Sequence, residues 1–505
     1  MSKRGSWTIL RAANGILAGG GIFCLLSLFY VVRRYGWMPT ARLDGDVAFL
    51  GYYLVPGVAA VLLFSSLLLR PSIRTGVALV LCSTAVSLYF VEITLQLVEH
   101  LGSREQQTLW TPQNERDLDE LVRLAERHGV TYDTRSKFEV VTELRSADPE
   151  VSPVIVPKAL LTPQRDGTLK SIISIDGREV VALGGISNRT TVFCNESGEW
   201  ISYLSDEHGF HNPAGIWNRS AIDIAVLGDS YAQGVCVPSH KNAVALIRTR
   251  YPATLNLGML GSGPLEELAL LKEYAAEFRP RIVLWFFYEE NDFADLRGTR
   301  KSPLLLKYLD GGYRQGLSAL QPAIDEALED YVADAMQQIG MGGNGLSIDR
   351  AGAGKIGSVT RSVVFLRSLR GRLGMTLGSR SGEDHRVVSD ETMDLLRKIF
   401  AETKAAVATW GGELYLVYLP ERQRYSHRRT ATLSEANRKR MLRLAEDLGV
   451  SVIDIHSAIQ SHDDPLSLYP FRRRGHFNED GYRLVAESVL RSIAIPGEGH
   501  AQNHR

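Results

Sequence analysis

The chain has 505 residues, too many for one compact domain, so two or three units are expected. Apolar residues make up 45% and charged residues 23%, the composition of a folded protein. A formal net charge of +0 argues against a dedicated nucleic-acid binder, which would carry a net basic face.

The first hundred residues are far more apolar than the rest. Ala12 to Val32, Val47 to Leu69 and Thr75 to Val91 each lack a charged residue, and apolar character continues past Glu92 to Val98. About 20 apolar residues span a bilayer core as a helix, so these stretches read as three transmembrane helices, with Gly19, Gly20 and Gly21 suited to close helix packing. A cleaved signal peptide fits the first stretch less well, because it is long and two more follow. With a cytoplasmic N-terminus, Lys3, Arg4, Arg11, Arg70 and Arg74 lie inside against Arg33, Arg34 and Arg42 outside. An odd number of spans then places the large C-terminal part in the periplasm or outside the cell, and the lipid bilayer is the first expected partner.

Residues 101–215 form a lead-in. Leu118, Leu121, Val122, Leu124 and Ala125 have helical spacing, and short runs such as Val180 to Leu183 and Thr190 to Phe193 suggest a β-rich segment. Residues 216–497 then alternate apolar strands with amphipathic helices. The strands are expected at Ala221 to Leu227, Thr254 to Leu257, Arg281 to Tyr288, Leu414 to Leu419 and Val450 to Ile455. Helices are expected at Leu265 to Phe278, Glu391 to Ala408 and Glu435 to Leu448, the last with Ser434 as N-cap and Gly449 past its end. This alternation predicts an α/β fold with a doubly wound, parallel five-stranded sheet. An insertion at about 296–388 holds a helix near 317–339, a glycine-rich stretch from Gly342 to Gly357, and a basic stretch with Arg361, Arg367, Arg370, Arg372 and Arg380. That basic stretch reads first as a solvated helix face and second as a patch for an anionic polymer or lipid headgroups.

In open α/β sheets the site lies at the carboxyl ends of the strands. The first strand ends in Gly228-Asp229-Ser230-Tyr231-Ala232-Gln233-Gly234, and the second in a turn through Gly258 and Gly261. The third ends in Glu289-Glu290-Asn291-Asp292, and Gly475-His476 precedes the last helix. A serine hydroxyl needs a base, which His476 can supply to Ser230. The oxyanion formed on a carbonyl needs donors, for which Ser230 N–H, Gly261 N–H and the Asn291 amide are candidates.

These four blocks, in order and each at a strand end, resemble the SGNH/GDSL hydrolase superfamily, in a membrane-anchored form, over about residues 216 to 495. The resemblance implies an SGNH-type fold and an ester hydrolase or O-acyltransferase working through an acyl-enzyme on Ser230. Gly261 matches the second block better than Gly258. The third block keeps Asn291-Asp292 but not the leading glycine. Cys194-Asn195-Glu196 with Asp206 to Pro213 looks like the lead-in of membrane-anchored members. A weaker likeness is to periplasmic polysaccharide O-acetylation proteins, which makes acylated carbohydrate or lipid of the cell envelope the expected substrate. The family's aspartate three residues before the histidine is replaced by Arg473, within Arg472-Arg473-Arg474. The reading that follows is a Ser–His dyad with a backbone carbonyl on Nδ1, the alternative acids being Asp454, Asp463 or Asp464. Arg473 also leaves open a non-catalytic scaffold in an envelope polysaccharide assembly. Among the cysteines, Cys24 and Cys82 fall in apolar stretches, whereas Cys194 and Cys236 flank the first strand and are expected to pair in an exported domain. No metal or nucleotide motif implies a cofactor, and protein partners are not legible.

Overall fold

The computed structural model describes residues 3–35, 53–102, 115–164, 166–340, 387–426, 428–473 and 475–493. They fall into two compact units, one holding residues 3–35 and 53–102 and the other the remainder.

The first unit is helical: Lys3–Tyr35, Val55–Ser66 and Pro71–Gly102. Two of its segments, Trp7–Arg33 and Pro71–Glu92, are long and apolar enough to cross a membrane. The middle stretch, expected as a third span, forms a helix of only 12 residues. At 1.5 Å per residue that covers about 18 Å of a core roughly 30 Å thick. Pro56 sits in its first turn, and the chain turns after Ser66 toward Arg70 and Pro71. Gly20 and Gly21 abut Leu63 and Phe64 of this short helix, while Gly19 faces open space.

The second unit is built around a sheet whose central strands bury both faces. Twelve strands are described: β1 Ser152–Pro153, β2 Leu161–Pro163, β3 Leu169–Ser171, β4 Ser174–Ile175, β5 Arg178–Glu179, β6 Thr190–Cys194, β7 Ile201–Leu204, β8 Ile224–Gly228, β9 Thr254–Asn256, β10 Ile282–Tyr288, β11 Glu413–Leu419 and β12 Ser451–Asp454. The last five form a parallel sheet in the order β12-β11-β10-β8-β9. Every residue of β8 and β10 is buried, which is why their sequences run apolar without alternation. Odd and even positions still part company. Ala225, Leu227, Val283, Trp285 and Phe287 join one core with the helices Pro264–Leu270, Leu317–Gly340 and Asp390–Ala408. Ile224, Val226, Leu284 and Phe286 join the other, under the helices Ala243–Arg248 and Glu479–Ser492.

The lead-in shares the first of these cores through Val140, Val141, Leu160, Val181 and Leu183. The amphipathic helix is present as Glu115–Arg127, burying Leu121, Leu124 and Ala125. Val180 to Leu183 is buried as expected but is not a strand, because the Gln315 side chain takes over its pairing: Val181 N–H donates to Oε1 at 3.0 Å, and Nε2 donates back to Val181 O at 3.3 Å. Likewise Ser434 is not an N-cap. The helix starts earlier, at Arg428, and the Ser434 hydroxyl donates to Glu421. Gly449 does end it, at φ +61°. In the insertion the helix Leu317–Gly340 is present, while the glycine-rich and basic stretches lie outside the described residues.

Candidate active site

Strand order reverses between β8 and β10: from β8 the chain moves outward to β9, then returns past it to β10, β11 and β12. A crevice opens at the carboxyl ends of such a pair. Ser230 follows β8 and Asn291 follows β10, so both expected residues fall at that point.

Ser230 begins a single helical turn, Ser230–Gln233, capped by Asp229, whose carboxylate accepts the Tyr231 N–H at 2.9 Å. The turn after β9 is locked onto it: Met259 N–H donates to Gly228 O at 3.1 Å and Leu260 N–H to Gln233 Oε1 at 2.7 Å. The two glycines of this turn differ. A Cβ on Gly258 would come within 2.3 Å of Gln233 N, so that residue sets the backbone contact with the turn that carries Ser230. Gly261 adopts φ +76°, a conformation that favours glycine, and lies beside Lys158 and Val156 of the lead-in. Among the described residues, neither Ser230 N–H nor Gly261 N–H has a hydrogen-bond partner. The Asn291 amide donates to Asp229 Oδ2 at 2.9 Å, so this side chain is tied to the residue next to the serine.

His476 Nε2 lies 2.9 Å from Ser230 Oγ. Its Nδ1 lies 2.8 Å from Glu196 Oε1, not from a main-chain oxygen. The dyad reading is therefore corrected: a carboxylate completes the relay, and it comes from the lead-in, just past β6. Since a carboxylate accepts, Nδ1 carries the proton and Nε2 is left to accept from the serine hydroxyl. The other acids considered are engaged elsewhere or exposed. Asp454 caps the helix Ile455–Gln460 and pairs with Arg438, and Asp464 pairs with Arg472. Arg473 points away to Glu120, and Arg474 lies outside the described residues. The histidine loop is braced by Tyr231, whose hydroxyl donates to Gly475 O and whose ring centroid lies 5.0 Å from that of His476. The sequence carried two signals for Glu196: it lies in the Cys194-Asn195-Glu196 segment that resembles a lead-in, and it stands two residues after Cys194, which a bridge to Cys236 brings near the serine. That bridge is present, with a Cα–Cα separation of 5.5 Å.

Burial alone would lower the His476 pKa, but the Glu196 carboxylate, reinforced by Asp229 and Glu290, outweighs it and leaves the ring above the ordinary histidine value. Asp229 is raised by burial, against its hydrogen bonds from Tyr231 and Asn291. Behind the crevice Glu266, Glu267 and Asp292 are buried, each with an oxygen lacking a hydrogen-bond partner among the described residues. Burial pushes Glu266 up to about 8 and Asp292 well above the carboxylate range, the latter helped by the nearby Glu267 and Asp229 charges. Glu289, in place of the motif glycine, is also buried, and takes a two-pronged ion pair from Arg424 at 2.6 and 3.0 Å. Among the described residues no group of His, Cys, Asp and Glu side chains has the arrangement of a metal site.

No family model and no curated protein matches the chain. Solved structures similar to it include a lipase/acylhydrolase from Enterococcus faecalis, with 15% identity, TM-score 0.28, and coverage of 54% of this chain and 95% of that one. A member of the lipolytic protein G-D-S-L family from Veillonella parvula DSM 2008 has 12% identity, TM-score 0.26, and coverage of 54% and 97%. An acetyl xylan esterase, AlAXEase, has 12% identity, TM-score 0.26, and coverage of 54% and 100%.

Proposed function

We propose that this chain is a membrane-anchored serine ester hydrolase of the SGNH/GDSL type. The observation that carries the reading is the continuous relay from Ser230 Oγ to His476 Nε2 at 2.9 Å and from His476 Nδ1 to Glu196 Oε1 at 2.8 Å. In the first step His476 takes the serine proton as Oγ attacks the ester carbonyl, and Glu196 stabilises the imidazolium. The N–H groups of Ser230 and Gly261 and the second amide hydrogen of Asn291 are the donors for the oxyanion. Collapse of the tetrahedral adduct expels the alcohol, which takes its proton from His476 and leaves an acyl group on Ser230. Water, deprotonated by the same histidine, releases the acid. A sugar hydroxyl in the place of water gives O-acyl transfer by the same steps.

The substrate we favour is an acylated carbohydrate or lipid of the cell envelope, with the catalytic unit outside the cytoplasm. Two features support this: the apolar helices Trp7–Arg33 and Pro71–Glu92, and a disulfide of a kind that persists in oxidising compartments. The scaffold alternative rested on Arg473, and an acid now stands at Nδ1 without it. A fluorophosphonate probe tests the proposal. Ser230 of the detergent-solubilised chain becomes covalently labelled, and Ser230→Ala abolishes both labelling and hydrolysis of p-nitrophenyl acetate. Labelling that survives the substitution refutes the assignment.

A further inference from the structure

The acid of the relay is far from its partners along the chain, 280 residues from His476. It does not belong to the five-stranded sheet but follows β6, in the separate sheet β1-β6-β7. Something must fix that segment against the serine turn to within a hydrogen bond, since loss of about 1 Å of precision weakens a relay severely.

On its upstream side the segment is tied to the lead-in. Tyr132 OH donates to Asn195 O at 2.9 Å, Asn195 Nδ2 to Asp133 O at 2.9 Å, and Gly198 N–H to Asn195 Oδ1 at 2.9 Å. Register shifts between Val192 and Cys194, an irregularity of the kind that re-aims side chains beside active sites. On the other side the tie is covalent. Cys194 is bonded to Cys236, which holds φ +62° just beyond the serine turn. Gly234 and Val235 N–H both donate to Ser230 O, at 3.0 and 3.1 Å, and Val235 O accepts from Tyr482 OH at 3.2 Å, on the helix that follows His476. Around the bridge Val154, Phe193, Tyr203, Val235 and Cys236 form a small core, with Leu260 packed against it next to Gly261.

We propose that Cys194 and Cys236 are positioning residues of the catalytic relay, their disulfide holding Glu196 on His476. This rests on the reading of Ser230, His476 and Glu196 as the acyl-transfer machinery. With the bridge opened, Glu196 leaves Nδ1 and a bare Ser–His pair remains. The groups facing His476 are then Asp229 from the end of β8, Glu290 from the end of β10 and the Tyr231 ring, while Arg473 stays with Glu120.

The titration of His476 itself, read by deuterium exchange at ring C2 with mass spectrometry across pH, tests this in the full-length chain. Oxidised wild type titrates above an ordinary histidine. Glu196→Gln lowers the midpoint, Cys194→Ser with Cys236→Ser lowers it to the same value, and the three substitutions together lower it no further. In parallel, kcat falls by roughly 10²- to 10⁴-fold in all three variants with KM little changed. A cysteine-pair variant that titrates as wild type, or whose shift adds to that of Glu196→Gln, overturns the proposal. Should that variant fail to fold, wild type is reduced with tris(2-carboxyethyl)phosphine, which takes oxygen from water to form its oxide as the disulfide becomes two thiols. Reduced chain with native near-ultraviolet circular dichroism and the lowered midpoint supports the proposal, and loss of that signal on reduction overturns it, the bridge then holding the fold. Absence of p-nitrophenyl acetate hydrolysis and probe labelling in wild type refutes the hydrolase reading, while the His476 titration still decides the role of the disulfide.

Discussion

A histidine acts as a base only when neutral, so a partner that raises its pKa also moves the working range of the enzyme. Glu196 does this to His476, with Asp229 and Glu290 adding to it. The acid limb of kcat/KM, which reports the free enzyme, therefore lies above the ordinary histidine value and activity is lost as pH falls through it. Glu196→Gln removes the largest raising influence, so the limb moves to lower pH while the plateau drops about 10²- to 10⁴-fold. A pH–rate profile of the two forms checks both signs, and an unmoved limb would show that Glu196 is not the partner at work. Ser230 and Asn291 were legible because their motifs sit in short windows at strand ends, and His476 because it stands just before the helix Glu479–Ser492. Glu196 was not, because its partner lies 280 residues away, and the acids sought were those nearer His476 in the chain, Asp454, Asp463 and Asp464.

The end of β10 shows how an element absorbs a change in a motif. Glu289 stands where the motif has glycine; β11 answers with Tyr418 OH, and the loop after it with Arg424 and with the Glu421 N–H at 2.8 Å. Both charges of the Glu289–Arg424 pair are buried, so removing Arg424 takes the cation from a buried carboxylate, whereas without Glu289 the guanidinium keeps Glu435 at 3.0 Å. Arg424→Met is expected to destabilise the second unit by about 3–5 kcal/mol in urea unfolding, and Glu289→Leu in the same chain to restore most of it. Equal losses in the single and double variants would show that the pair contributes nothing beyond packing. β8 and β10 were legible because burial on both faces writes a mostly continuous apolar run, whereas the edge strand β12, with Ser451 and Val452 exposed, is marked by its neighbours in the alternation of strands and helices. Val180 to Leu183 writes the same run without being a strand, since a side-chain amide can satisfy a buried backbone as well as a neighbouring strand does. Ser434 shows the converse, a capping residue type placed mid-helix because Glu421 takes its hydroxyl.

At the scale of the whole molecule, one unit supplies the apolar helices and the other the relay. With two spanning helices the termini share a side, so counting spans no longer argues for export, and the argument passes to the disulfide. A C-terminal alkaline phosphatase fusion is expected to be active and a C-terminal green fluorescent protein fusion dark. The reverse pattern would place the catalytic unit in the cytoplasm and remove the envelope substrate. The apolar character of this region was plain in the sequence, but the shortness of its middle helix was not, because a proline and a tight turn interrupt a run that composition alone leaves whole.

The relay also has an order in time. Ribosomes deliver a chain from its N-terminus, so Glu196 and Ser230 emerge before His476, which follows 246 residues after the serine. A nascent or prematurely terminated chain thus carries a serine with no base and is chemically silent. The helix Glu479–Ser492, which follows His476, packs with Ile224 and Val226 of β8, so the imidazole can meet the serine only after this late segment has joined the sheet.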